Sequence, residues 1–154
     1  MTPRPRRLRT AYTEAQDSPG LLLWQVTNRW QAAQRAALKP FGLTHVQFVL
    51  LASLTWLESD GPVTQRNLAE HAATDPMMTS QVVRALQQRD LVDRAPHAGD
   101  ARAWALSVTT AGAALANEAV AAVEACDAAF FATLGSGLSR FSAQLRSLAA
   151  HNPR

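Results

Sequence analysis

Hydrophobic positions recur along the chain at two different spacings, and the change between them divides it into elements. Leu21, Leu22, Trp24, Val26, Trp30, Ala33, Ala37 and Leu38 return every few positions, along with Gln25, which predicts an amphipathic helix. Ser18-Pro19 supplies a cap and a proline for the first helical position, and Pro40 with Gly42 ends the segment. Thr44-His45-Val46-Gln47 has the form of a capping box, where hydroxyl and amide satisfy backbone donors at a helix start. Behind it Phe48, Val49, Leu50, Leu51, Leu54, Trp56 and Leu57 predict a helix buried on most sides. Gly61-Pro62-Val63 interrupts the pattern. Thr64 then caps a short helix to about Ala72, and after a turn at Ala73-Thr74, Asp75-Pro76 opens a longer one to about Arg89. Two helices joined so tightly make a helix-turn-helix.

At Leu91 the period falls to two. Leu91 to Ala95 and Ala103 to Val108 read as strands around a polar loop, 96–102. Trp104, Leu106 and Val108 share one face, and Ala103, Ala105 and Ser107 the other. A hairpin directly after a helix-turn-helix is a wing. From Thr109-Thr110 an alanine-rich helix runs to about Thr133 with Leu115, Ala119, Ala122, Cys126 and Phe130 on one stripe. Gly135 and Gly137 break it, and a last helix carries Leu138, Phe141, Leu145 and Leu148.

The fold class is therefore mainly α with a small β-hairpin wing. A winged helix-turn-helix core, 44–109, is flanked by dimerisation helices at 18–43 and 110–154, and 1–17 is an Arg-rich tail expected to be disordered. The end helices have too little domain to cover their apolar stripes, so they should bury one another across a homodimer interface.

Charge sharpens this picture only after it is divided. A pI near 10.0 invites a nucleic-acid reading, but Arg4, Arg6, Arg7 and Arg9 are four of the 15 basic residues, which leaves 11 against 12 acidic groups in 10–154. The winged region, 62–108, is neutral, with Arg66, Arg84, Arg89, Arg94 and Arg102 matched by Glu70, Asp75, Asp90, Asp93 and Asp100. Any positive face must come from placement. The tail is either a source of non-specific phosphate contacts or a solubilising end.

The 154 residues and 47% hydrophobic content suit one folded core and exclude a disordered chain. No signal-like stretch follows the basic start, and charges interrupt every apolar run before the roughly 18–20 residues a bilayer requires. A soluble, cytoplasmic protein without a membrane partner is expected. Cys126 alone makes no intrachain disulfide, and His45, His71, His97 and His151 are not spaced as a metal set, so neither metal nor cofactor is expected. The chain contains no Gly-rich phosphate loop, GxSxG, HExxH or convincing Cys–His pair, so it reads as no enzyme.

In order and spacing, several segments resemble the MarR family of bacterial winged helix-turn-helix transcription regulators. They are Gly61-Pro62-Val63-Thr64-Gln65 with Leu68-Ala69-Glu70, Met78 through Leu86, Asp90 through Arg94, and Asp100-Ala101-Arg102 with Leu106 and Thr109-Thr110-Ala111-Gly112. Asp90 departs from the pattern, since the family usually has glycine there. An aspartate reaches the left-handed geometry at a cost, and its charge opposes the dipole at a helix C-terminus.

If Val82, Val83 and Leu86 face the core, Met77, Ser80, Gln81 and Arg84 lie on the opposite face of the second helix, with Thr79 nearer the boundary. Gln is suited to adenine and Arg to guanine in the major groove. Arg102 at the wing tip suits a narrow minor groove, as the family resemblance also implies, with Asp100 placed to orient its guanidinium. Gln65 and Arg66 are candidates for phosphate contact. A merely solvated surface helix, and a winged module that binds protein without DNA, are the alternatives; the latter should show more exposed apolar residues on this face.

The resemblance further implies a homodimeric repressor of its own or neighbouring genes, reading a pseudopalindromic operator in double-stranded DNA. It also implies release by a small aromatic or phenolic effector bound where the dimerisation helices meet the winged domain. Trp24, Arg29, Trp30, His45 and Phe48 are candidates for that pocket, although aromatic residues at helical spacing also make plain core. Cys126 reads as a small buried hydrophobe.

Overall fold

The computed structural model describes residues 8–152, so Arg4, Arg6 and Arg7 lie outside it. Within the expected tail, Ala15–Asp17 forms a short 3-10 turn, with the Glu14 backbone N–H donating to Asp17 Oδ2 at 3.0 Å. The elements that follow are α1 (Pro19–Leu38), α2 (His45–Leu57), β1 (Val63–Thr64), α3 (Gln65–Ala72), α4 (Pro76–Gln88), β2 (Val92–His97), β3 (Asp100–Val108), α5 (Thr110–Phe131) and α6 (Leu138–His151).

Helices α1 to α5 start where a local cap dictates. Ser18 Oγ accepts from the Leu21 N–H at 3.3 Å and Thr44 Oγ1 from the Gln47 N–H at 3.2 Å. At Thr64, Oγ1 accepts from the Asn67 N–H at 3.1 Å, and Asp75 Oδ1 takes the Met77 and Met78 N–H groups at 2.9 and 3.0 Å. Removing one such cap costs about 1 kcal/mol.

Two helices end in the left-handed region without a glycine. Ala73 has φ 51° at the turn between α3 and α4, and Asp90 has φ 55° after α4. There the Asp90 N–H reaches Gln87 O at 3.0 Å and the Leu91 N–H reaches Leu86 O at 3.0 Å, so the last carbonyls of α4 are satisfied and Leu86 and Leu91 are both buried.

Leu38, Leu50, Leu51, Leu54, Leu68, Val83, Leu86, Val92 and Leu106 form one core built on α2. Burying each such side chain contributes about 1.5–3 kcal/mol. The sheet has strand order β1-β3-β2, all antiparallel. β1 escapes sequence reading because two residues carry no periodicity, and only their pairing with Leu106 and Ala105 makes them a strand. The expected loop at 96–102 is shorter than anticipated: His97 pairs with Asp100, so only Ala98 and Gly99 turn, and a register shift follows Pro96.

On α5 the buried stripe is Gly112, Ala116, Ala119 and Val123, rotated from the expected Leu115, Ala119, Ala122, Cys126 and Phe130. Alanine on every side gives the sequence little contrast from which to fix the rotation. Gly112 is where α5 meets the winged core: a Cβ there would lie 2.0 Å from Leu91 O and 2.8 Å from Val108 Cγ2. A kink at Gly135, with φ 50°, separates α5 from α6, no residue of which is buried. The helical stretch Thr110–His151 is, contrary to the sequence expectation, long and apolar enough to cross a membrane by length and composition. Only 11% of its apolar window is buried within the chain, although Ala116, Ala119 and Val123 reach the core of the winged domain.

Candidate nucleic-acid interface

The surface of α4 divides sharply. Thr79, Val83 and Leu86 are buried, while Met77, Met78, Gln81 and Arg84 are exposed, Met77 to 72%. Ser80 lies at the edge of the exposed face, and its Oγ accepts from Arg84 Nη2 at 3.0 Å. These polar groups stand side by side on a rigid helix whose start is fixed by Asp75 and whose end is fixed by Arg89. Arg89 Nη1 donates to Gly42 O at 2.8 Å and to Gln47 Oε1 at 3.5 Å, tying α4 to the junction of α1 and α2.

Thr79 leaves the set of DNA-contact candidates. It is fully buried, its hydroxyl donates to Asp75 O at 2.8 Å, and it lies 2.7 Å from Thr74 Oγ1. It locks the helix-turn-helix turn from inside.

On the wing, Asp100 and Arg102 are both exposed at the start of β3. Asp100 does not hold the guanidinium as expected; its Oδ1 accepts the Arg102 backbone N–H at 2.9 Å. The carboxylate therefore orders the strand entry and leaves the Arg102 side chain to reach outward. Behind it, the Arg94 guanidinium lies 3.8 Å over the Trp104 ring, a cation–π contact stiffening the hairpin. Arg66 is exposed and ion-paired to Glu70 at 3.0 Å, an i,i+4 surface contact worth at most about 0.5 kcal/mol and readily exchanged for a phosphate. Gln65 is half-buried, with Oε1 unpartnered among the described residues. An open cleft of about 1050 Å³ brings Gln65, Arg66, Asp100, Arg102 and Trp104 to one concave surface with Ala149 and Asn152, so the α3 and wing candidates converge, while Met77, Ser80, Gln81 and Arg84 of α4 do not line it.

The second candidate set converges only in part. Trp30 and His45 meet edge to face with centroids 4.9 Å apart, and Phe48 is buried in the core. Trp24, 69% exposed, and Arg29 lie on the outer surface of α1, away from that pair. The polar centre beside Trp30 was not anticipated: Asp127 Oδ1 accepts Trp30 Nε1 at 2.8 Å and Gln34 Nε2 at 2.6 Å, joining α1 to α5. An acid in the apolar run of α5 and a glutamine on the inner side of α1 were the available signals. His45 is held below its ordinary pKa chiefly by burial and further by Arg35, while Asp127 pulls the other way.

The MarR family model matches residues 43–104. The chain is 45% identical over 116 residues to the uncharacterized HTH-type transcriptional regulator YdcH of Bacillus subtilis, a match covering 75% of this chain and 79% of that protein. It is 36% identical over 121 residues to the HTH-type transcriptional repressor Mb2911 of Mycobacterium bovis, covering 78% and 85%. Among solved structures, CouR of Rhodococcus jostii RHA1 bound to p-coumaroyl-CoA superposes with a TM-score of 0.76 at 26% identity, over 90% of this chain and 96% of that one.

Proposed function

The chain belongs to the MarR family of DNA-binding transcription regulators, which are not enzymes, and from that premise we propose that it is a homodimeric repressor of its own or neighbouring genes. In this reading 44–109 is the DNA-binding unit, 18–43 and 110–154 supply the dimer interface, and the protein works in the cytoplasm. Gln81 and Arg84 read base edges in the major groove, Ser80 and Met77 contact base or backbone beside them, and Arg102 enters the minor groove. Gln65 and Arg66 hold phosphates. Paired about a two-fold axis, the α4 helices enter successive major grooves about 10 bp apart on a pseudopalindrome.

The observation that carries this reading is the division of α4, whose polar face is exposed while Thr79, Val83 and Leu86 anchor the other side. A small aromatic effector at Trp30, His45 and Phe48 would release DNA by favouring a spacing of the two wings that no longer matches the operator. The likeness to CouR, whose structure holds p-coumaroyl-CoA, supports an aromatic ligand.

Selection of binding sequences from random DNA by the full chain, followed by mobility shifts with Arg84→Ala and Arg102→Ala, tests the proposal. Arg84→Ala should weaken binding by about 1–3 kcal/mol and relax one base position in each half-site. Sequence-independent retention of DNA by parent and variants alike would end it.

A further inference from the structure

Where α1 crosses α5, hydrogen-bonding capacity is left unused in a place that solvent barely reaches. Gln34 is completely buried; its Nε2 is committed to Asp127, while its Oε1 has no partner among the described residues. Asp127 receives two uncharged donors on the same oxygen, Oδ1, and no ion pair to it exists among the described residues. Beside these acceptors stand the Trp30 and His45 rings. An unmet buried carbonyl and a carboxylate without a cation are both stabilised by an arriving N–H group, and a flat ligand gains further contact with the indole.

We infer that this crossing forms the inner wall of a site for an aromatic ligand that carries N–H donors, neutral or cationic, and that it disfavours aromatic carboxylates. The inference rests on the effector reading proposed above and gives that effector its chemistry. A ligand carboxylate pressed against Asp127 and Gln34 Oε1 meets acceptors only. The opposing attraction is Arg35, which is exposed on α1 and close enough to act on the charge of His45. An anion would have to be held there, at the outer edge.

Benzamidine, benzamide and benzoate share a ring and a size and differ in donors and charge, so calorimetric titration of the full chain with each separates the possibilities. Benzamidine should bind tightest, benzamide next and benzoate least. Asp127→Asn keeps an oxygen for Trp30 and Gln34 but removes the charge, and should weaken benzamidine about tenfold or more while changing benzamide little. Gln34→Met, a second variant with the apolar volume retained, should weaken both donor ligands.

Benzoate binding as tightly as benzamidine overturns the inference, as does binding of none of the three or binding untouched by both substitutions. Operator release by benzoate but not by benzamidine would leave the effector reading standing and reject the donor preference. Probe binding that follows Asp127 and Gln34 without any change in operator affinity would do the reverse.

Discussion

The winged core and the end helices are built to different degrees of completion. In the core, α3 and α4 begin on side-chain caps, α4 ends on a satisfied left-handed turn, and α2 is enclosed by α3, α4, the sheet and α5. At the ends, α6 buries nothing, and Leu22, Leu23, Trp24, Leu145 and Leu148 stand exposed, Leu148 to 57%. One region is finished within a single chain, and the other leaves apolar side chains uncovered. Apolar helices that a single chain leaves uncovered are what a two-fold partner covers, so the core should fold largely by its own contacts and operator binding should require the pair.

The largest expected effect comes from breaking the unfinished half. The double substitution Leu145→Asp, Leu148→Asp should give a monomer by light scattering at micromolar concentration while helical content is kept. Operator affinity should fall by about two orders of magnitude or more, since each half-site alone supplies only part of the binding free energy. A dimer persisting in that variant would mean that α6 is not the interface.

Next in size is the joint between the two regions. Gly112→Ala drives a methyl group into Leu91 O, a backbone atom that cannot step aside, and should destabilise the fold by about 3 kcal/mol in chemical denaturation. A loss under about 1 kcal/mol would show that α5 is free to shift on the wing.

Within the core, Asp90→Gly should raise stability by about 1 kcal/mol, because glycine takes φ 55° without strain and the substitution removes an acidic charge from the end of α4. The dimer should be unaffected. A decrease in stability would assign Asp90 a contact beyond its backbone geometry.

The smallest effect belongs to His45, at the contact of α2 with α1. Its pKa is lowered in the folded chain, so the unfolded chain binds the proton more readily. The stability it contributes is present above about pH 6.5 and is lost as pH falls through the lower folded value. Denaturation midpoints measured from pH 7.5 down to 5 should therefore fall less steeply for His45→Gln than for the parent. Parallel curves would contradict the assignment.

Local chemistry explains how far the sequence could be read. Ser18, Thr44, Thr64 and Asp75 act within three residues of themselves, so helix starts were legible to the residue. Contacts closed by the fold were not: Trp30 with Asp127, Arg89 with Gly42, and Val63 with Leu106 join residues far apart in the chain. Thr79 shows a third case, in which polarity suggested a surface residue although the turn itself satisfies the hydroxyl. Of the exposed residues proposed for DNA, Gln81 and Arg84 were visible because Val83 and Leu86 face the core with ordinary helical periodicity, whereas Arg102, which shares its strand parity with Leu106 and Val108, was visible only from its place at the wing tip and the family resemblance.

If two finished cores pair through their unfinished ends, the sequences that the full chain selects from random DNA should be inverted half-sites with centres about 10 bp apart, the spacing at which two α4 helices reach successive major grooves on one face of the duplex. A single uninverted site, bound with one protomer per duplex, would contradict it.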